Sequence, residues 1–256
     1  MSNKNLFGLT VLGLSFLLFG CQTVTGRYIN NATGSNFKDD DWNETFYDNA
    51  GLPSANSIKW IEENGNNFLR FTLKDKDKGI WSGDRTPRHR APYWERAELK
   101  QRAYLSKNSN YEINFKVRFL EGFNGSRESF FQIHQWTENC QTSPTMMLKI
   151  HKRILTLSAK KTSHKLTNYY AGRSRKDSKI EDLLGKWNSL KIIYSAIENK
   201  VTVSLNESLI FENIEFVPDA CGIPHIKFGI YRPGNEDYPN NTSVVDFDKF
   251  EIREIK

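Results

Sequence analysis

The sequence predicts an all-β protein, an antiparallel two-sheet β-sandwich of the jelly-roll kind, and three observations carry that expectation. From about residue 37 onward, apolar and polar residues alternate with period two in many short segments. Turn-forming residues separate those segments at close intervals. Helical periodicity is scarce, and strands that each bury one face need a second sheet to cover it.

The chain of 256 residues begins with a different pattern. Lys4 precedes an apolar run from Leu6 to Phe19, broken by Gly8, Thr10, Gly13 and Ser15, which ends in Leu18-Phe19-Gly20-Cys21. A positive residue followed by a short apolar run is the layout of a secretory signal, and the run is too short and glycine-broken for a good membrane span. Its end resembles the bacterial lipobox, in which the cysteine sulfur is acylated. Residues 1–20 are therefore expected to be removed as a lipoprotein signal peptide, leaving lipid on Cys21. Gln22 after the cysteine resembles outer-membrane sorting, so a lipid-anchored protein on the periplasmic or outer side of that membrane is expected. Residues 21–36, rich in Thr, Asn and Gly, read as a flexible tether, and residues 37–256 as one β domain.

Within that domain Tyr111–Phe119 alternates for nine residues, as a half-buried strand should. Similar segments lie at Phe68–Leu73, Ser129–Trp136, Thr145–Ile154, Ser189–Ile197, Lys200–Leu205, Ile226–Tyr231 and Val244–Ile252. Gly122, Asn124-Gly125, Asn206 and Pro233-Gly234 read as turns, and Lys179–Leu184 as a short helical turn.

The formal net charge is +6, and removing residues 1–20 takes away one charge, Lys4, leaving +5. A basic surface outside the cell points to an acidic partner: a polyanionic sugar, lipopolysaccharide or nucleic acid. Of the three cysteines, Cys140 and Cys221 remain after Cys21, and an even pair in an oxidising compartment is expected to be bridged. Two isolated cysteines lack zinc-ligand spacing, and no metal or cofactor is expected.

Residues two apart in a strand share a face. On that rule Phe131 and Ile133 oppose Phe130, Gln132, His134 and Trp136. Ile226, Phe228 and Ile230 oppose His225, Lys227, Gly229 and Tyr231. Ala97 and Leu99 oppose Arg96, Glu98 and Lys100, while Met146, Leu148 and Ile150 oppose Met147, Lys149, His151 and Arg153. Four segments thus bury one face and display cations, aromatics and hydrogen-bonding groups on the other. A solvated outer face would need only Lys, Glu and Thr. Gly229 beside Tyr231 would let a ligand approach the backbone. His89, His164 and His225, each taken alone, read as incidental.

Arg96-Ala-Glu-Leu-Lys100, Gln132-Ile-His134 and Lys227-Phe-Gly-Ile-Tyr231 resemble, in order, three motifs of the jelly-roll polysaccharide lyases, a concanavalin A-like fold. In the family 7 alginate lyases these are Arg-x-Glu-Leu-Arg, Gln-Ile-His and Lys-x-Gly-x-Tyr strands. Gln-Ile-His-Gln-Trp and Lys-Phe-Gly-Ile-Tyr-Arg-Pro-Gly look closer to the heparin lyase I and glucuronan lyase relatives. The resemblance spans roughly residues 60–255. Lys100 departs from the usual arginine, and Arg232 follows the tyrosine.

The resemblance implies cleavage of a uronate-containing polysaccharide by β-elimination. The proton on C5 is weakly acidic beside a negative carboxylate, so neutralising that carboxylate is the main electrostatic task. Arg96 with its charged fork and Gln132 with its amide suit this task. His134 is a candidate base, with Tyr231 as the acid or as both base and acid. Lys100, Lys149, Lys227, Arg232, Trp136, Arg88 and Arg90 are expected to bind substrate. The basic stretch 81–96 reads as a loop over one end of a groove, and 159–176, with Tyr169-Tyr170, as a second. A Cys140–Cys221 bridge would tie the loop after His134 to the loop before Tyr231.

A non-catalytic carbohydrate-binding module with the same fold is the main alternative. A glycoside hydrolase would need paired carboxylates at strand spacing; Asp246 and Asp248 share a face, but near the C-terminus a structural role is expected. No nucleic-acid module appears. The expected partners are an acidic polysaccharide and, through Cys21, a membrane; a monomer is expected.

Overall fold

The computed structural model describes residues 28–31, 42–44, 57–79, 82–87, 91–101, 104–123, 125–135, 140, 142–162, 165–171, 178–234 and 242–256. The expected signal peptide, Cys21, and the expected substrate-binding residues Arg88, Arg90 and Trp136 lie outside the described residues.

Fifteen strands and two single-turn helices are described. In chain order they are β1 (Tyr28–Asn31), β2 (Trp42–Glu44), β3 (Ile58–Glu63), β4 (Asn66–Leu73), α1 (Ser82–Arg85), β5 (Tyr93–Gln101), β6 (Asn110–Phe119), β7 (Arg127–His134) and β8 (Met146–His151). Then follow β9 (Ile154–Thr162), β10 (Lys165–Tyr170), α2 (Ile180–Leu183), β11 (Asn188–Ser195), β12 (Lys200–Leu205), β13 (Ser208–Glu215), β14 (His225–Gly234) and β15 (Ser243–Ile255). They form two antiparallel sheets. One runs β13-β12-β11-β6-β15-β4-β3, with β1 added on β15; the other runs β10-β9-β8-β7-β14-β5-β2. This is the expected jelly-roll sandwich.

The core lies between the sheets, where the inward residues of both meet. In β6, Tyr111, Ile113, Phe115, Val117 and Phe119 are all buried, as the alternation predicts. Aromatic rings bridge the layers: Phe115 stacks on Phe131 at 5.3 Å, Phe228 on Phe250 at 4.6 Å, and Phe71 meets Phe228 edge-on at 5.4 Å. Asp246 holds Arg70 at 2.7 Å and Arg118 at 2.8 Å, and Asp248 accepts from Asn66 at 3.1 Å. Both aspartates are structural.

The structure departs from the sequence pattern in several places. Within the stretch expected to be a tether, β1 pairs with β15, Asn31 opposite Glu251. Thr145–Ile154 is not one strand but a hairpin: Lys152 and Arg153 take φ of 52° and 64°, the left-handed pair that a tight hairpin requires. Arg153 accordingly leaves the sheet face and pairs with Glu181 at 2.6 Å. The supposed second loop is largely the β9–β10 edge hairpin. Pro233-Gly234 is not a turn but the end of β14, opposite Trp94 and Tyr93. The pairing of β14 with β7 runs only as far as Tyr231, so Pro233 removes no ladder hydrogen bond on that side.

Two faces also change. The register of β7 against β8 slips between Ser129 and Phe131, a bulge that turns Phe130 into the core, 5.1 Å from Phe119. Gly229 has φ +133°, and a Cβ there would strike the Ala97 carbonyl oxygen, Glu98 Cα and the Phe71 ring. Its glycine therefore serves the close approach of β14 to β5, not the approach of a ligand.

Candidate active site

The antiparallel registers of β5, β14, β7 and β8 arrange the polar face in rows that cross the strands. One row is Arg96–Tyr231–Ser129–Lys149. A second is Lys100–Lys227–Gln132–Met147. At the far end His225 pairs with His134. The lysine–glutamine row therefore lies between the Tyr231 row and the His134 pair. Strands stand about 4.8 Å apart, so the face carries closely spaced charges.

Arg96, 5% exposed, is not an open fork. Its Nε and Nη2 donate to the two Asp84 oxygens at 3.0 and 2.9 Å, and its Nη1 donates to Glu98 at 2.5 Å. Burial works against the Arg96 charge, but Asp84 and Glu98 outweigh it and hold the group protonated. Glu98 also accepts from the Gln132 amide at 2.5 Å, so Asp84, Arg96, Glu98 and Gln132 form one chain of hydrogen bonds. The guanidinium lies 4.2 Å over the Tyr231 ring, whose other neighbour, Trp94, stacks at 4.9 Å. Arg96 therefore positions Tyr231 and Gln132. Asp84 reaches it from α1 because Gly79 leaves room; a side chain there would collide with the carboxylate.

His134 is half-buried at the end of β7, its ring stacked 5.7 Å from that of His225. Burial, then the charges of Lys227, His225, Arg96 and Lys100, drive its pKa well below the usual histidine value. A neutral imidazole, able to accept a proton, is the form present at neutral pH. His225 is pushed down to about 3 by burial, then by Lys227 and Lys100, and its Nδ1 lies 3.2 Å from the Ile223 carbonyl oxygen. Lys227, 1% exposed, is lowered to about 7 by burial first and by Arg96 next.

By register Tyr231 lies opposite Ser129, five residues along β7 from His134, roughly 16 Å between Cα positions. The two can meet one sugar only by leaning toward each other along the groove.

Arg232, expected to bind substrate, does not face the groove. It is wholly buried on the core side, where it donates to Glu95 at 2.5 Å, to Glu128 at 3.1 Å and to Ser243 of the opposite sheet at 2.7 Å. Burial raises the Glu95 pKa against the pull of Arg232. Its parity with Ile230 is the sequence signal for this inward direction. His225, set aside as a lone histidine, shares parity with Lys227 and belongs to the site. Asp84 and Trp94 had no motif to mark them.

Cys140 and Cys221 form a disulfide, with Cα atoms 5.6 Å apart. Beside it Gln135 accepts from the Asp219 amide at 2.5 Å, and Asp219 pairs with the buried Lys160. The chain leaving β7 after His134 is thus fastened to the segment that enters β14.

The two sheets and their charged outer face define a jelly roll with a candidate site on one sheet. Residues 33–249 match the family model described as polysaccharide lyase, and the chain belongs to that family. It is a lyase that acts on polysaccharide. Among solved structures, a family 7 alginate lyase, A1-II′, shares 12% identity with a TM-score of 0.63, covering 84% of this chain and 95% of its own. The Pseudomonas aeruginosa alginate lyase PA1167 shares 15% identity with a TM-score of 0.58, over 83% of this chain and 97% of its own. The family 7 alginate lyase AlgAT5 shares 13% with a TM-score of 0.57, over 84% and 95%. At these identities the likeness is one of fold. No curated protein sequence matches the chain.

Proposed function

We propose that this polysaccharide lyase cleaves an acidic, uronate-containing polymer by β-elimination. The observation that carries the reading is the placement of the Lys100–Lys227–Gln132 row between His134 and Tyr231. In a uronate, C5 carries both the carboxylate and the proton to be removed, and C4 beside it carries the leaving oxygen. A carboxylate on the row would therefore hold C5–H and O4 between His134 and Tyr231.

The lysines and the Gln132 amide offset the carboxylate charge and stabilise the enolate as it forms. The His134 imidazole takes the C5 proton. The electrons of that C–H bond become the C4–C5 double bond, the C4–O4 bond breaks, and the Tyr231 hydroxyl gives its proton to O4. The products are an unsaturated uronate end and a new sugar hydroxyl. The five-residue offset favours a second division of labour, in which Tyr231 both removes the proton and returns it to O4 while His134 only contacts the carboxylate.

Incubation with alginate, glucuronan, heparin and hyaluronan should raise the ultraviolet absorbance of the new double bond on at least one polymer. Reducing ends without absorbance, or binding without cleavage, would reject the elimination. Tyr231→Phe should lower kcat by about 10²–10⁴-fold with little change in binding. His134→Ala does the same under the first assignment and costs much less under the second.

The proposal extends to location. The lipobox-like Leu18-Phe19-Gly20-Cys21 supports a lipid anchor on the bacterial outer membrane.

A further inference from the structure

Charge is compensated unevenly along the groove. Asp84 and Glu98 stand at Arg96, on one side of Tyr231. On the other side stands Lys149, only 6% exposed, which makes no hydrogen bond or ion pair with any described residue. Its side chain is mostly buried while the ammonium is not among the buried atoms left without a partner, and burial, then Arg127, lowers its pKa to about 8.

The surroundings of Lys149 are those of an anion site. Its cross-strand partner is Ser129, itself opposite Tyr231. One step along the strands, Arg127 pairs with His151, and the Arg127 guanidinium lies 5.4 Å from the centre of the Trp94 ring that stacks on Tyr231. The His151 Nδ1 is 3.2 Å from the Tyr170 hydroxyl at the sheet edge. Cations, a hydroxyl and an imidazole thus surround the Lys149 ammonium about two strand spacings, ~10 Å, from Tyr231.

We infer that Lys149, with Arg127, Ser129 and His151, forms a second anion subsite, which receives a carboxylate or sulfate ester on a sugar unit bound beyond Tyr231. It is separate from the Lys100–Lys227–Gln132 row and rests on the reading of this face as the polysaccharide groove. The anion supplies the counter-charge that the fold withholds, so substrate binding completes the site.

The test uses Tyr231→Phe protein, so that polymer is bound and not consumed. Calorimetric titrations with glucuronan, which is unsulfated, and with heparin are repeated after adding Lys149→Met or Lys149→Arg. Lys149→Met should weaken binding at least tenfold, while Lys149→Arg stays within threefold. A loss on both polymers assigns a carboxylate, and a loss on heparin alone assigns a sulfate ester. Melting temperature should hold or rise in Lys149→Met, because a charge without a protein partner, crowded by Arg127, has been removed; a merely structural lysine would lower it. Inorganic sulfate supplies an arm independent of any polymer: it should raise the melting temperature of the wild type more than that of Lys149→Met. If neither polymer binds but the sulfate effect depends on Lys149, the anion site stands, the titrations are repeated with alginate and hyaluronan, and the uronate reading falls if these fail to bind as well. If neither sulfate nor polymer binding depends on Lys149, the subsite is overturned.

Discussion

At Gly229 a single missing methyl group holds two strands together. The residue combines a φ that L side chains rarely adopt with contact against β5 backbone. Gly229→Ala is expected to cost about 3 kcal/mol, read as a lower urea midpoint, because strain and displacement add. His225 makes a different kind of prediction. Its folded pKa is about 3 against an ordinary 6.5. Between those values the unfolded chain takes up a proton that the folded chain refuses, so stability falls as pH drops through the window and is undiminished by this group above 6.5. His225→Gln should flatten the decline by about 1.4 kcal/mol per pH unit, measured by urea unfolding between about pH 6 and 4. Parity sorted Arg96, Gln132, His134 and Tyr231 onto one face of their strands, while their proposed roles came from the resemblance. Arg232 was misread by following the motif rather than its parity. Phe130 could not be placed from local pattern, because the bulge that turns it inward is a property of the pairing with β8. Asp84 meets Arg96 only through the tertiary approach across Gly79.

Among the elements, β5, β14 and β7 do most to build the site. Each presents a buried face of Ala, Leu, Ile or Phe to the core, which fixes which side chains line the groove. The β8–β9 turn was hidden because Lys152-Arg153 lacks the Asn-Gly chemistry that usually announces a left-handed pair. The β7 and β14 ends are also held by the disulfide, which spans 81 residues of sequence. Its loss in a Cys140→Ser, Cys221→Ser double variant should cost roughly 4 kcal/mol in the chain-entropy model. For a domain of this size that is a fall of about 10 °C in melting temperature by circular dichroism. Activity at low temperature should persist, since neither cysteine lies in the groove rows.

For the whole molecule, the two sheets divide the work. The β6–β15 sheet supplies the back of the core, and its outer ion pairs of Arg70, Arg118 and Asp246 brace it. The other sheet carries the proposed site on the face it turns away from the core. The jelly roll was legible from alternation, turn spacing and the three motifs together. The edge strands β1, β2 and β13 were not, because short or mostly exposed strands lack a strong two-residue period. The proposed anchor makes a prediction at this scale. Cys21→Ala should move the protein from the membrane pellet to the soluble fraction on cell fractionation, with kcat on soluble polymer unchanged.

The Cys140–Cys221 bridge has a consequence for biogenesis. It can close only when the β7 and β14 ends are already neighbours, so its formation reports correct assembly of the groove. In a reducing cytosol the bond would not persist, and under the proposed export the precursor would lack that closure until it has crossed the membrane. Oxidation after the proposed export would then act as a ratchet: pliable in transit, locked on arrival, around strands that had already found each other.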